Sequence, residues 1–394
     1  MNLKIFTEDI EQAALTQIYQ LLAQPAFRDA KVRIMPDVHA GAGCVIGFTA
    51  DLGDKVIPNI VGVDVSCGMH VVKLGHERDL NLDLAALDDF IHKNIPAGFC
   101  VNAKPQAEFD LKELYCYSEL LKPERLILGI GSLGGGNHFI ELDKDEDGYI
   151  YLVIHTGSRN LGKQVATLYQ NKAIAYCNNT WVREANEATE ALKAEGRFCE
   201  IEATRRSIKA KYHDMAVPDA LCYLEGDDRQ AYLHDMRLCQ RYAVLNRKVI
   251  GDKIIAFLGV EPLERWECAH NYIDDQNMIR KGAISAHKGE KVIIPLNMRD
   301  GSIIGVGKGN PDWNESGPHG AGRLMSRGAA KRNLSLDEFQ ETMSGIYSST
   351  VSLSTIDESP MAYKPAQEIV DNIKDTIDIT CIIKPIYNFK AGDE

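Results

Sequence analysis

No run of about 18 apolar residues occurs in the chain, so no membrane-spanning helix is expected. Its first residues, "MNLKIFTEDIEQ", lack a basic stretch followed by an apolar one, and no secretory signal is expected. No CxxC pair occurs among the ten cysteines, which are scattered at 44, 67, 100, 116, 177, 199, 222, 239, 268 and 381. Reduced thiols in a cytoplasmic setting are therefore expected, most of them small core residues. An excess of positive charge is missing too. The formal net charge is −12, which excludes a non-specific nucleic-acid binder with a basic surface but not a local basic channel. Finally, there is no internal repeat and no low-complexity linker.

The 394 residues are 45% hydrophobic and 25% charged, an ordinary globular composition. That length suits two average domains or one large one. Without a linker, one α+β unit over residues 1–394 is the better expectation. Residues 8–24 read as an amphipathic helix, capped by Thr7 and followed by Pro25. "VRIMPDVH", "GCVIGFTA", "KVIPNIVGVDV" and "MHVVKL" read as strands joined by tight loops. Residues 80–123 read as mainly helical, with a break near "NIPAG". A strand-like run begins at 126 and passes through "GIGSLGGGNHF" into a hairpin with "DKDEDG" at its tip. Residues 161–257 read as a helical insertion. Strands and glycine loops return in "GEKVIIPLN" and "GSIIGVGKGN". Ser335 caps a helix over 335–347, and "ITCIIKPIYNFK" ends the chain as a strand.

The chemistry gathers in loops. "GVDVSCGMH" places Asp64 and Cys67 three residues apart between Gly62 and Gly68. His138, His155, His270 and His319 each adjoin Gly- or Asn-rich segments, where backbone shape places the imidazole. His76, His92, His213 and His234 sit among helix-type or charged residues and read as surface or core side chains. Asp64, Cys67, His138, His155 and His270 make a possible Asp/Cys/His₃ donor set for a transition metal. Five ligands exceed one tetrahedral shell, so two metals sharing Cys67 are one reading. Packed His and Cys side chains are the other. Donor type alone suggests Zn2+ before Mn2+. In "GPHGAGR", His319 can serve as a nucleophile toward phosphorus. Gly320 and Gly322 let the backbone approach, and Arg323 can bind a phosphate bidentately. A structural turn is the alternative there. Basic residues cluster at Arg280, Lys281, Lys288 and Lys291, and at Arg323, Arg327, Lys331 and Arg332; on charge alone each cluster reads as a solvated face.

Taken together, the motifs resemble the RtcB family of RNA-splicing ligases. They run in order along nearly the whole chain: "MPDVHAGAG" (35–43), "VGVDVSCGM" (61–69), "GSLGGGNHFIE" (131–141), "IHTGSRNLG" (154–162), "CAHNY" (268–272), "RKGAISA" (280–286), "HGAGRLMSR" (319–327) and "PMAYK" (360–364). The resemblance implies an α+β body with β-sheets around a central metal-containing cleft. It implies joining of RNA ends bearing 3′-phosphate or 2′,3′-cyclic phosphate to 5′-hydroxyl ends, with GTP and two Mn2+ ions, in RNA repair or tRNA splicing. By matching positions, Asp64, Cys67, His138, His155 and His270 are metal ligands. Asn137 contacts the nucleotide phosphate, and Glu141 and Lys364 contact guanine or the bound guanylate. His319 becomes guanylylated, and Asp37 is a carboxylate near the RNA-end chemistry.

The chain departs from the family pattern in three places. It reads "PLNM" (295–298) where "PGSM" is common, which puts Leu296 and Asn297 near the expected nucleotide site. The segment before His319 is "ESGP" in place of a Cys/Ser-rich one. Ala269 stands where many members carry a second His. These departures bear on nucleotide affinity, metal preference and RNA choice. Two alternatives stay open: a metal-dependent cyclic phosphodiesterase, which needs neither His319 nor Lys364, and a non-catalytic RNA-end binder. A helper protein is left open as a further partner.

Overall fold

Most of the short apolar runs between glycines form strands, and three sheets result. The computed structural model describes residues 2–213, without the His213 side chain, and 217–391. Strand β1 (Asn2–Ile5) and helix α1 (Gln12–Leu22) lead into β2 (Lys31–His39) and β3 (Ile46–Asp51). Helix α2 (Pro58–Val61) precedes β4 (Gly68–His76), α3 (Leu84–Asn94) and α4 (Pro123–Leu128). The hairpin of β5 (Phe139–Lys144) and β6 (Tyr149–Thr156) opens into helices α5 (Arg159–Asn178), α6 (Thr180–Ala194), α7 (Ile201–His213) and α8 (Gly226–Leu258). Strands then return as β7 (Glu264–Ala269), β8 (Asn271–Ile273), β9 (Met278–Lys281), β10 (Ala283–Ser285), β11 (Lys291–Asn297), β12 (Gly301–Gly307) and β13 (Ser316–Pro318). Helices α9 (Arg327–Asn333), α10 (Leu336–Thr342) and α11 (Ala366–Asn372) precede the last strand, β14 (Ile377–Lys390).

The largest sheet has the order β11-β12-β14-β5-β6-β4-β7, a second has β1-β2-β3-β9-β8, and β10 pairs with β13. Apolar side chains cover both faces of the large sheet. Ile140, Leu142, Leu152 and Ile154 pack toward Ile250 and Ile254 of α8. Met69, Val71 and Val153 pack toward Ile293, Ile303 and Ile377. The α+β class expected from the sequence is the observed one. No helix among the described residues is long and apolar enough to cross a membrane.

Several local expectations fail for identifiable reasons. The first helix starts at Gln12, not at residue 8, and Thr7 does not cap it. The Thr7 hydroxyl accepts from the Asp9 N–H, while the Glu11 carboxylate is taken by the Ala40 N–H. "KVIPNIVGVDV" is not a strand, because Pro58 starts the short helix α2. Within 80–123, the one long helix ends at Asn94, just before Pro96. Beyond it, the buried Asp235 carboxylate satisfies the amides of Tyr115 and Cys116 from outside the segment. The run starting at 126 belongs to α4, whose Leu126 carbonyl accepts from the Tyr242 hydroxyl. Ser335 does cap its helix, accepting from the Glu338 N–H, but that helix ends at Thr342.

Candidate functional site

Strand register brings the distant donors to one end of the large sheet. On β5, β6, β4 and β7, Phe139 lies opposite His155, Met69 opposite His155, and Gly68 opposite Ala269. His138, Cys67 and His270 immediately flank those strand ends, and His155 sits on β6 itself. Residues spread over 200 positions thus share one edge. The expectation that a strand delivers Asp64 and Cys67 is corrected: both sit in the turn between α2 and β4. Ser66 adopts a left-handed conformation there, with φ 54°.

The donor atoms fall into two groups that share Cys67: Cys67, His155 and His270, and Asp64, Cys67 and His138. The Cys67 Sγ lies 3.1 Å from His155 Nε2 and 3.4 Å from His138 Nε2. His138 Nε2 is 3.0 Å from Asp64 Oδ2, and His155 Nε2 is 3.4 Å from His270 Nε2. His155 Nδ1 donates to the Asn137 carbonyl at 3.1 Å, which fixes Nε2 as the lone-pair nitrogen. Gly157 packs against this cluster so closely that a Cβ there would lie 2.1 Å from Asp64 Oδ1.

Burial holds His155 and His270 neutral, well below the ordinary imidazole range. Burial, aided by Asp64, pushes the Cys67 thiol up. For Asp64, burial would raise the carboxyl, but the neighbouring His138 outweighs it and holds the group low. Soft and borderline donors converge here with lone pairs aimed inward. Buried polar atoms arranged in this way fit a divalent cation better than they fit one another.

Across the same cleft, His319 follows β13 and is reached by Asp37 from β2. Asp37 Oδ2 accepts from the His319 ring Nδ1 at 2.7 Å and from its backbone N–H at 3.2 Å. Asp37 is wholly buried. Gly322, with φ 77°, permits the approach, since a Cβ there would lie 2.9 Å from the Asp37 carbonyl oxygen. The His319 and His270 ring centroids are 4.9 Å apart. His319, Gly320, Gly322, Asn137 and Glu141 all line a cavity of about 320 Å³ together with Asp64, Cys67, His155 and His270.

Part of the cavity lining is charged. Glu358 is 2% exposed. It meets Arg323 at 3.2 Å, Arg327 at 2.9 Å, Lys390 at 2.7 Å and the Tyr363 hydroxyl at 2.6 Å. Burial would raise its carboxyl, but Lys390, Arg327 and Arg323 together lower it to about 2. The solvated-face reading holds only in part: Arg323 is largely covered and Arg280 and Lys281 are buried, whereas Arg327 is part-exposed and Lys288, Lys331 and Arg332 are exposed. Burial raises the Glu141 carboxyl, against the pull of Lys390, and Asn388 donates to it.

Lys364 is placed differently. Its ammonium sits 3.1 Å from Glu368 and 3.5 Å from Asp9, and it is not among the residues lining the cavity. The lysine that does line it is Lys390, which the sequence reading missed. The only available signal was its place at the end of a long apolar strand. Glu358, Tyr363 and His39 were missed also; His39 lies within "MPDVH", and its Nδ1 donates to the Asp37 carbonyl at 2.9 Å. Leu296 lines the cavity. The Asn297 carboxamide oxygen accepts from the Arg299 and Asp300 N–H groups, shaping the β11–β12 turn. His76, His92 and His234 lie outside the cavity; the His213 side chain falls outside the described residues.

The chain matches the family model described as tRNA-splicing ligase RtcB, over residues 17–123 and 118–391. It is 28% identical to the RNA-splicing ligase RtcB of Escherichia coli (strain K12), covering 97% of this chain and 95% of that one. It is 27% identical to the tRNA-splicing ligase RtcB of Archaeoglobus fulgidus, over 92% of this chain and 87% of the relative. The RNA-splicing ligase RtcB of Mycobacterium tuberculosis is 27% identical over 86% of this chain and 91% of its own.

Proposed function

Because this chain belongs to the RtcB family of RNA ligases, we propose that it joins RNA 3′-phosphate or 2′,3′-cyclic phosphate ends to 5′-hydroxyl ends, using GTP and Mn2+, through a guanylate carried on His319. The observation that carries this reading is the pairing of buried Asp37 with His319, which lines the same cavity as Asp64, Cys67, His155 and His270. Asp37 keeps the proton on Nδ1, so Nε2 presents its lone pair to the cavity. In the first step Nε2 attacks the α-phosphorus of GTP, a P–N bond forms, and pyrophosphate leaves. The imidazolium created is neutralised by Asp37. In the second step an oxygen of the RNA 3′-phosphate takes the guanylate and His319 is regenerated. In the third the 5′-hydroxyl attacks the activated 3′-phosphate, and GMP leaves. A cyclic phosphate is first opened by hydrolysis.

Asp64, Cys67, His138, His155 and His270 would hold the metal. Two bound cations would offset charge on the phosphates and orient them. Arg323, Arg327 and Lys390 line the same cavity and suit the anionic parts of the nucleotide. Glu141, with its deep carboxyl, suits the donor edge of guanine, and Asn137 lies beside the phosphate path.

The test is incubation with Mn2+ and GTP labelled at the α-phosphate, followed by denaturation. An acid-labile protein adduct in the wild type, absent in His319→Ala, is expected. Metal binding without any adduct would overturn the guanylate step and favour a cyclic phosphodiesterase.

A further inference from the structure

Behind the donor cluster, away from the cavity, lies a buried charged group with no role in the steps above. Arg247 of α8 is 0% exposed. Its Nη1 donates to two backbone carbonyls, Ser66 and Thr156, both at 2.8 Å. Ser66 directly precedes Cys67, and Thr156 directly follows His155. Its Nε donates to Glu267 Oε2 at 2.7 Å. The other oxygen of Glu267 meets His70 Nδ1 at 2.8 Å, and His70 lies directly opposite Glu267 in the β4–β7 pair.

We propose that Arg247 is a positioning residue of the metal centre, clamping the backbone on either side of Cys67 and His155, and that Glu267 and His70 hold it in place. The inference rests on the reading of the donor cluster as a metal site. Ser66 needs the clamp: its left-handed φ of 54° is a strained conformation for a residue with a side chain. Its N–H donates to the Asn271 carbonyl at 2.7 Å, and Arg247 takes its carbonyl, so the peptide leading into Cys67 is gripped from both sides. The same guanidinium ties that turn to β6, which fixes the Cys67 sulfur relative to the His155 ring. A bare guanidinium here would repel an incoming cation. Glu267 neutralises it, so the clamp contributes geometry without net positive charge. A planar fork is required to reach two carbonyls and a carboxylate at once, and lysine has no such fork.

The test uses the full chain and Co2+, whose thiolate-to-cobalt charge-transfer absorbance reports how well Cys67 engages the metal. Arg247→Lys and Glu267→Gln are compared with wild type after circular dichroism shows each is folded. Arg247→Lys is expected to raise the Kd for Co2+ by about tenfold or more, as for loss of outer partners at other metal centres, and to weaken the absorbance band. Glu267→Gln should move both in the same direction by a smaller factor. Folded variants with wild-type Kd and band would overturn the proposal. Should Arg247→Lys not fold, Glu267→Gln decides, since its side chain is 29% exposed and its loss leaves the carbonyl contacts intact. Absence of Co2+ binding to the wild type would overturn both the metal-site reading and the clamp. Binding with a normal band but no guanylate adduct would remove only the proposed function.

Discussion

One carboxylate oxygen of Asp37 accepts both the ring Nδ1 proton and the backbone N–H of His319, residues 282 positions apart. The imidazole is thereby fixed in tautomer and in orientation before any substrate arrives. The family resemblance put Asp37 near the RNA-end chemistry; in the structure it is hydrogen-bonded to His319.

Asp37→Asn keeps the shape and removes the charge that balances the imidazolium. The rate of guanylate adduct formation should fall by about 10²-fold or more. Rapid-quench measurement with labelled GTP checks this, and GTP binding measured with the His319→Ala background should be little changed.

Cys67 is the one donor common to both groups. Cys67→Ala should therefore weaken both metal positions, whereas His138→Ala should spare the group of Cys67, His155 and His270. Calorimetric titration with Mn2+ distinguishes the two patterns. Equal losses of one metal in both variants would contradict the shared-sulfur arrangement.

Lys390 lines the cavity and Lys364 does not. Lys390→Met should raise the KM for GTP by tenfold or more on the scale of a lost charged contact of about 1.5–3 kcal/mol, and Lys364→Met should change it less than threefold by the same reasoning. The reverse order would restore Lys364 as the nucleotide contact. Leu296→Ser tests the chain's own departure in the same assay, with a shift in GTP affinity expected because the side chain lines the cavity.

Glu358 contributes stability with a definite pH sign. Its carboxyl is lowered from the ordinary value of 4.5 to about 2. The contribution is therefore complete above the ordinary value and is lost as pH falls from there toward 2. Glu358→Gln leaves Arg323, Arg327 and Lys390 without their common counter-charge and should cost about 3–5 kcal/mol at neutral pH. Urea denaturation at pH 7 and pH 3 checks it: the gap between variant and wild type should narrow at the lower pH.

The sequence by itself determined the α+β class and singled out the side chains that the fold brings together. Most of the short apolar runs bounded by glycines are strands, and Cys67 and His319 stand in loops beside glycines, while His155 lies near the end of β6. Eight ordered motifs carried the family. Tertiary structure decided what local pattern does not encode. Pairing register across β5, β6, β4 and β7 put four separate donors at one sheet edge, a long-range property invisible in any window of the chain. Likewise "KVIPNIVGVDV" is no strand because Pro58 starts the short helix α2 within it, and beyond Asn94 the amides of Tyr115 and Cys116 are satisfied by Asp235, over a hundred residues away. Which lysine reaches the cavity was also a matter of packing: Lys364 is held by Asp9 and Glu368, while β14 carries Lys390 to Glu358. Charge and hydrogen-bond satisfaction between distant segments settled those choices, and neither has a local signature.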